Sequence, residues 1–322
     1  MDEAAVIERY FWHLGAVRTD VVLGVGDDAA LLRPRAGFDL AMTTDTLVEN
    51  VHFLPGSAAR SLGHRALAVN LSDLAAMGAT PAWALLSLTL PAIDESWLGE
   101  FALGFGRLAR EQGVALAGGN LSRGPLNITV QLAGHVAADT ALRRSGARDD
   151  DDVWISGTLG DAAAGRSIDA DVRENTHAGW LRTRFDYPTP RVALGEALRG
   201  VASACIDLSD GLLADLPRLA GASHCGAVLE VDRLPLSDAL RAEAARAASG
   251  AAAWQRALVG GEDYELCFTA PPAVADVLAG IADRCAVQLT RCGRMRPAAG
   301  LELQNAGAVI QFSHSSFGHF SP

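Results

Sequence analysis

No phosphate-binding loop of the form GxxxxGK[ST] occurs in the 322 residues, which excludes the most widespread nucleotide-binding turn. The segment SGTLGDAAAG (156–165) is a glycine-punctuated strand-to-helix turn, but it contains no lysine. The five cysteines (Cys205, Cys225, Cys267, Cys285 and Cys292) form no CxxC pair and no metal-ligand spacing with histidine, so neither a disulfide framework nor a zinc site is expected. Free thiols in a reducing cytoplasm fit this usage. Positive charge is in short supply: 27 basic side chains face 38 acidic ones, a net charge of −11, which argues against nucleic acid or an anionic membrane as the main partner. Long apolar runs are also missing. The most apolar stretch, 66–93, is interrupted by Asn70, Ser72, Asp73 and Pro81 and does not read as a membrane span. The opening MDEAAVIERYFWHL carries acids where a secretory signal carries bases, and reads as an amphipathic helix. A soluble, cytoplasmic protein is the expectation.

What is present is a chain that is 49% hydrophobic, enough for a large core, and long enough for two domains at about 150 residues each. Strand-like runs (VVLGV at 21–25, FDLAMT at 38–43, WALLSLTL at 83–90, LNITVQLAGHV at 126–136) alternate with helical patterns at 60–77 and 95–112. Around 138–152 the chain turns polar, and VWISG then opens a second series. Helical patterns at 190–200, 210–221, 237–249 and 272–284 are interleaved there with strand candidates at 153–157, 203–207, 227–231, 264–269 and 286–292. The fold class is therefore α/β (α+β), with domains over 1–138 and 150–322. The run Asp149–Asp152 reads as a solvated loop, because consecutive like charges repel.

The acidic residues lie in turns of small residues: GVGDDAA (24–30), TTDTLVENVHF (43–53), NLSDLAAMGA (70–79), IDLSDGLLAD (206–215) and GGEDYEL (260–266). Carboxylate oxygens suit Mg²⁺, which bridges one or two protein carboxylates to substrate phosphates and keeps several waters. Small neighbours let the backbone approach those phosphates closely. Each segment alone is equally an Asx turn or a helix cap. Five together, on a chain only 20% charged, favour the metal and phosphate reading.

Within the helical pattern at 60–77, Asn70, Asp73 and Met77 fall on one face. An aspartate in the apolar run LAVNLSDLAAMG is costly to bury without a partner, which makes Asp73 a ligand candidate. IDLSDGLLAD reads as a strand ending at Asp207 and turning into a helix after Ser209 or Asp210, whose first-turn N–H groups would face an anion. Ser209 or Asp210 as a plain N-cap is compatible with this. The glycines of Ala117–Asn120 read as a turn after a strand.

Taken in order, GDDAALL, TTDTLVENVHF, ALAVNLSDLAAMGATPAW, RSGA, IDLSDGL and GGEDYELCF resemble the thiamine-monophosphate kinases. These belong to the superfamily of aminoimidazole ribonucleotide synthetase and selenophosphate synthetase, and the resemblance runs from the first helix to the terminal SFGHF. It implies two mixed-sheet domains, an N-terminal domain pairing its sheet across a homodimer, a C-terminal α/β domain, and ATP in a cleft between the domains. It places Asp28, Thr43, Thr44, Asp45, Asp73, Asn120, Asp207 and Asp210 around Mg²⁺, and Thr44, Gly119, Asn120, Arg144 and Ser209 on the nucleotide. His52, Glu262 and Phe317 would hold thiamine monophosphate, and Asp210 and Arg144 would carry catalysis.

Two departures stand out. The family pattern GGD is here Gly118-Gly119-Asn120, so one expected metal carboxylate is an amide, and the Pro-Gly that follows RSGA in the family is replaced by Arg148 and the aspartate run. The implied reaction moves the γ-phosphoryl of ATP to the phosphate of thiamine monophosphate. Two alternatives stand beside it: a catalytically impaired ATP-binding homodimer, motivated by Asn120, and another ATP-using enzyme of the superfamily. Against a selenophosphate synthetase, the first cysteine is Cys205, far from any N-terminal glycine-rich segment.

Overall fold

The computed structural model describes residues 2–169, 172–173, 176–246 and 252–312. It divides into two compact units, one of Met1–Leu74 with Ala79–Asp139, the other of Ala75–Gly78 with Thr140–Pro322.

In the first unit, Asp2 accepts the Ala5 N–H at 2.9 Å and starts helix α1 (Glu3–Val6), which continues as a wider π-type turn through Ile7–Phe11. This agrees with the helix expected there. Strands β1 (Val21–Leu23) and β2 (Leu31–Leu32) form a short antiparallel ribbon around the GVGDDAA turn. The main sheet holds β3 (Phe38–Val48), helix α2 (Ala59–Ala76) follows in sequence, and then come β4 (Thr80–Leu90), helix α3 (Glu95–Glu111), β5 (Ala115–Arg123) and β6 (Asn127–Ala137). The strand order is β3-β6-β4-β5, with only β4 and β5 parallel.

Side chains alternate across a strand, so each cross-strand row belongs to one face. The rows through Thr43, Asp45 and Leu47 carry the buried Leu132, Val130 and Ile128. On that face Thr43 donates its hydroxyl to Asp73 of α2. The opposite face is far more open, and Met42 is 68% exposed on it. Helices α2 and α3 cross at glycines: a Cβ at Gly104 would run into the Arg60 carbonyl, and one at Gly63 into that of Phe101. Asp94 caps α3 by accepting the Ser96 and Trp97 N–H groups at 2.9 and 3.1 Å.

The second unit is built on β7 (Asp152–Ser156), β8 (Ala204–Asp207), β9 (Gly226–Glu230), β10 (Leu266–Ala270), β11 (Leu289–Arg296), β12 (Gly300–Asn305) and β13 (Ala308–Ile310). Their order is β13-β12-β9-β11-β7-β10-β8, antiparallel except for β9 with β12. Its helices are α4 (Asp161–Gly165), α5 (His177–Asp186), α6 (Val192–Leu198), α7 (Leu212–Ala222), α8 (Asp238–Arg246), α9 (Ala253–Val259) and α10 (Ala275–Cys285). Leu212, Leu216 and Leu219 of α7 recur at helical spacing and pack into one core with Ile155, Ile206, Leu229, Leu258 and Met295. All five cysteines are free, and four of them are buried. Among the described residues no helix is long and apolar enough to cross a membrane.

Three local expectations are corrected. Gly118, Gly119 and Asn120 lie inside strand β5 and not in a turn. Helix α7 starts at Leu212, with Gly211 as N-cap, and neither Ser209 nor Asp210 takes that place. Only half of Asp149–Asp152 is solvated: Asp151 accepts the Arg148 N–H at 2.8 Å, and Asp152 pairs with Arg291 at the start of β7. Burial is tolerated because each of these two carboxylates has a partner.

Candidate functional site

Each unit gathers a subset of the expected residues. In the first, the GVGDDAA turn and strands β4, β5 and β6 enclose a cavity of ≈ 980 Å³ lined by Asp27, Asp28, Gly119 and Asn120 together with Ser87, Thr129 and Gln131. Asp27 Oδ1 accepts the N–H of the next residue, Asp28, at 2.8 Å. The register sets Asn120 in one row with Ser87, Thr129 and Thr46, and the Thr46 and Thr129 hydroxyls are 2.8 Å apart. Gly119 is required by space, since a Cβ there would strike the Leu86 carbonyl of the neighbouring strand. Ser87, Thr129 and Gln131 were not singled out from sequence. Their signal is the alternation of polar with apolar residues in WALLSLTL and LNITVQL, which puts them on the open face.

Alternation also separates residues that are adjacent in sequence. Thr43 and Asp45 share the helix-covered face, whereas Thr44, in the row of Gln131, points the other way. Thr43 and Asp73 are joined by their hydrogen bond. His52 sits in the turn after β3, where its Nδ1 accepts the Val48 N–H at 3.0 Å. In the neutral imidazole that bond leaves the proton on Nε2.

In the second unit, the antiparallel pairing of β8 with β10 is prolonged past Asp207. Leu208 N–H donates to Glu265 O at 2.8 Å, Tyr264 N–H to Leu208 O at 3.0 Å, and Glu262 N–H to Ser209 O at 2.9 Å. This ladder brings IDLSDGL and GGEDYEL side by side and groups Asp207, Ser209 and Asp210 with Glu262. Gly261 permits the approach, because a Cβ there would meet the Ser209 carbonyl. Arg144 lies on the exposed segment that flanks β8, where the preceding Arg143 carbonyl accepts the Cys205 N–H at 2.8 Å. Phe317 lies outside the described residues.

Several acids in these motifs are engaged by the protein itself. Arg218 Nη1 bridges Asp210 and Asp215, at 2.6 Å to each, and Asp215 reaches back to accept the Asp210 N–H at 3.0 Å. Burial pushes the Asp215 carboxyl up to about 6, against the pull of that N–H and of Arg218. Asp263, 1% exposed, accepts Gly160 and Ala162 N–H groups at 2.5 and 3.0 Å, and burial pushes its carboxyl up to about 7. Glu265 is fully buried between Ser156, Arg184 and Arg191, with Arg191 gripping both carboxylate oxygens at 2.6 and 2.7 Å. Part of the acidic signal read from sequence is thus spent on capping and ion pairing.

Among the described residues, no group of three or more His, Cys, Asp or Glu side chains is arranged to hold a metal ion. Mg²⁺ asks for less, since one or two carboxylates, water and substrate phosphates complete its shell. The donor set fits such an ion: the hard oxygens of Asp28 and Asn120 face one cavity, where Gly119 brings the main chain close.

The chain matches the family model of the AIR synthase related protein N-terminal domain over residues 26–136, and that of the C-terminal domain over 148–304. It is 44% identical to the thiamine-monophosphate kinase of Salmonella typhimurium strain LT2, across 99% of this chain and 98% of that one. This chain belongs to the thiamine-monophosphate kinase family. A crystal structure of the Stenotrophomonas maltophilia K279a family member superimposes with a TM-score of 0.84 at 45% identity, covering 91% of this chain and 93% of the other. AaThiL, solved in complex with AMPPCP and TMP, gives a TM-score of 0.79 at 32% identity over 89% of each chain.

Proposed function

We propose that this chain transfers the γ-phosphoryl group of ATP to the phosphate of thiamine monophosphate, giving thiamine diphosphate and ADP, as a Mg²⁺-dependent homodimer. The observation that carries this reading is the 44% identity to a thiamine-monophosphate kinase across essentially both whole chains. The AaThiL complex with AMPPCP and TMP supports the same pair of ligands. Residues 1–138 and 150–322 are taken as the two functional domains.

The acceptor is a phosphate monoester whose second pKa is about 6, so its oxygen is already anionic near neutral pH and no general base is needed. A bond forms between that oxygen and the γ-phosphorus while the bond to the β–γ bridging oxygen breaks, leaving the charge on ADP. Catalysis then consists of alignment and charge neutralisation. Arg144 serves as the neutralising side chain, and Thr44, Gly119, Asn120 and Ser209 hold the nucleotide. Asp28, Thr43, Thr44, Asp45, Asp73, Asn120, Asp207 and Asp210 are the residues that would hold Mg²⁺, which supplies charge compensation between two polyanions when bound. Asp210 must exchange its Arg218 partner to take part. His52 presents its Nε2 proton to the substrate phosphate, Glu262 faces the cationic and amino-bearing part of thiamine, and Phe317 completes the ring-binding surface.

Phosphorus NMR of the protein with ATP, Mg²⁺ and thiamine monophosphate tests the proposal. Thiamine diphosphate resonances are expected only when all three are present. Loss of ATP without that product, or product formed in a metal-free chelated sample, overturns it.

A further inference from the structure

We propose that Tyr264 is a specificity-determining positioning residue, its hydroxyl holding the Glu262 carboxylate in the orientation that meets the positively charged part of thiamine monophosphate; this rests on the assignment of Glu262 to the substrate made above. Both residues are in the left-handed region, with φ of 72° at Glu262 and 51° at Tyr264. Neither is glycine, and such conformations persist only where the surroundings over-determine them.

The surroundings here do so. Main-chain bonds tie Glu262 to Ser209 and Tyr264 to Leu208. Between them Asp263 is anchored on the Gly160 and Ala162 N–H groups, and Glu265 is gripped by Ser156, Arg184 and Arg191. Two buried carboxylates thus bolt down the four-residue stretch that displays Glu262. With the backbone so fixed, the side chains of Glu262 and Tyr264 meet, and the phenol donates to Glu262 Oε2 at 3.2 Å.

The division of labour is visible in burial. The Tyr264 ring is packed, leaving only 9% of the residue exposed, while Glu262 is partly open. Phenylalanine would fill the same space. The hydroxyl therefore has a separate use, and the atom it touches belongs to the carboxylate assigned to the substrate. A buried tyrosine hydroxyl needs a hydrogen-bond partner, and choosing a partly exposed carboxylate orients that group toward a ligand.

The test is a double-mutant cycle on the full chain with Tyr264→Phe, Glu262→Gln and both together. Tyr264→Phe is expected to raise the KM for thiamine monophosphate about tenfold, the scale of one hydrogen bond to a charged group. The KM for ATP and the melting temperature should stay at parental values. In the Glu262→Gln background, Tyr264→Phe should add less than about twofold, because coupled residues are not additive. If Glu262→Gln raises the KM for thiamine monophosphate but Tyr264→Phe does not, or if the two effects multiply, the Tyr264 inference is overturned alone. A Tyr264→Phe protein with a lowered melting temperature and both KM values raised also overturns it, since that marks a structural role. If Glu262→Gln leaves the KM for thiamine monophosphate unchanged, the Glu262 assignment itself falls and the inference falls with it.

Discussion

Asn120 is the one amide among the side chains proposed above to hold Mg²⁺, and its surroundings give that proposal a measurable consequence. It shares a cavity with Asp27 and Asp28 and a sheet row with three hydroxyl side chains, so oxygen donors remain plentiful around it. An amide oxygen can ligate, yet it brings no charge, and the strength of a hard-cation site follows its ligand charge. Placing a carboxylate there with Asn120→Asp is expected to lower the Mg²⁺ concentration for half-maximal rate by about threefold to tenfold, on the order of 1 kcal/mol for an added charge near solvent. A magnesium titration showing an unchanged or increased requirement removes this account. At single residues the need for a partner was legible in sequence, as with Asp73, costly to bury in an apolar helix unless paired or bound to metal, and Thr43 of strand β3 hydrogen-bonds it. Which side chain becomes the partner was illegible even where it lies close in sequence. Nothing in the sequence around Asp210 announces that Arg218 and Asp215 hold it.

Helix α4 shows how an element can depend on one distant group. It is five residues long, its N-cap Gly160 has no side chain to offer, and the cap arrives instead from Asp263. The folded-state pKa of Asp263, about 7, lies above its ordinary value of 3.8, so the native protein retains a proton that the unfolded chain gives up. Its contribution is therefore fully present below about pH 4 and is lost as the pH rises through 7, with an upper bound of about 4 kcal/mol. The melting temperature is expected to decline from pH 5 to pH 8, and Asp263→Asn should flatten that decline. Asp215, whose pKa is also raised, adds slope of the same sign to both proteins, while Asp161, raised as well, interacts with Asp263, so the difference between the curves reports Asp263 together with its coupling to Asp161. Parallel curves for the two proteins would count against the assignment. Elements marked by a long apolar run or by apolar periodicity, such as α2, α3, β4 and β6, were readable to within a few residues of their ends. Strand β5 was not, because Gly118 and Gly119 have no side chains to alternate and turn chemistry claims such pairs first. The start of α4 was legible in the strand-to-helix turn SGTLGDAAAG, whereas the short β12 and β13 and the helices α5 and α9 gave too little pattern to be singled out.

At the scale of the whole molecule, two mixed-sheet units follow from the two interleaved series of helices and strands, while strand order does not follow from any local pattern. The open face of the first unit's sheet bears Leu40, Met42 and Leu85, at 43%, 68% and 38% exposure, an apolar surface that the proposed homodimer would cover. Sedimentation velocity is expected to give twice the chain mass for the parent and a shift toward the monomer for Met42→Arg. A parent protein that sediments as a monomer at micromolar concentration rejects the dimer. All 27 basic side chains are arginines, which lets Arg191 clasp both oxygens of the buried Glu265, a fork that an ammonium group cannot make. The cysteines have a different consequence. Cys205, Cys225, Cys267 and Cys292 are buried, and burial raises the thiol pKa of all four, that of Cys267 to about 12. Cys285, at the end of α10, is the one left within reach of solvent among the described residues, which include all five. A maleimide dye added to the native protein thus finds one address per chain, a ready-made reporter position that requires no engineered mutation.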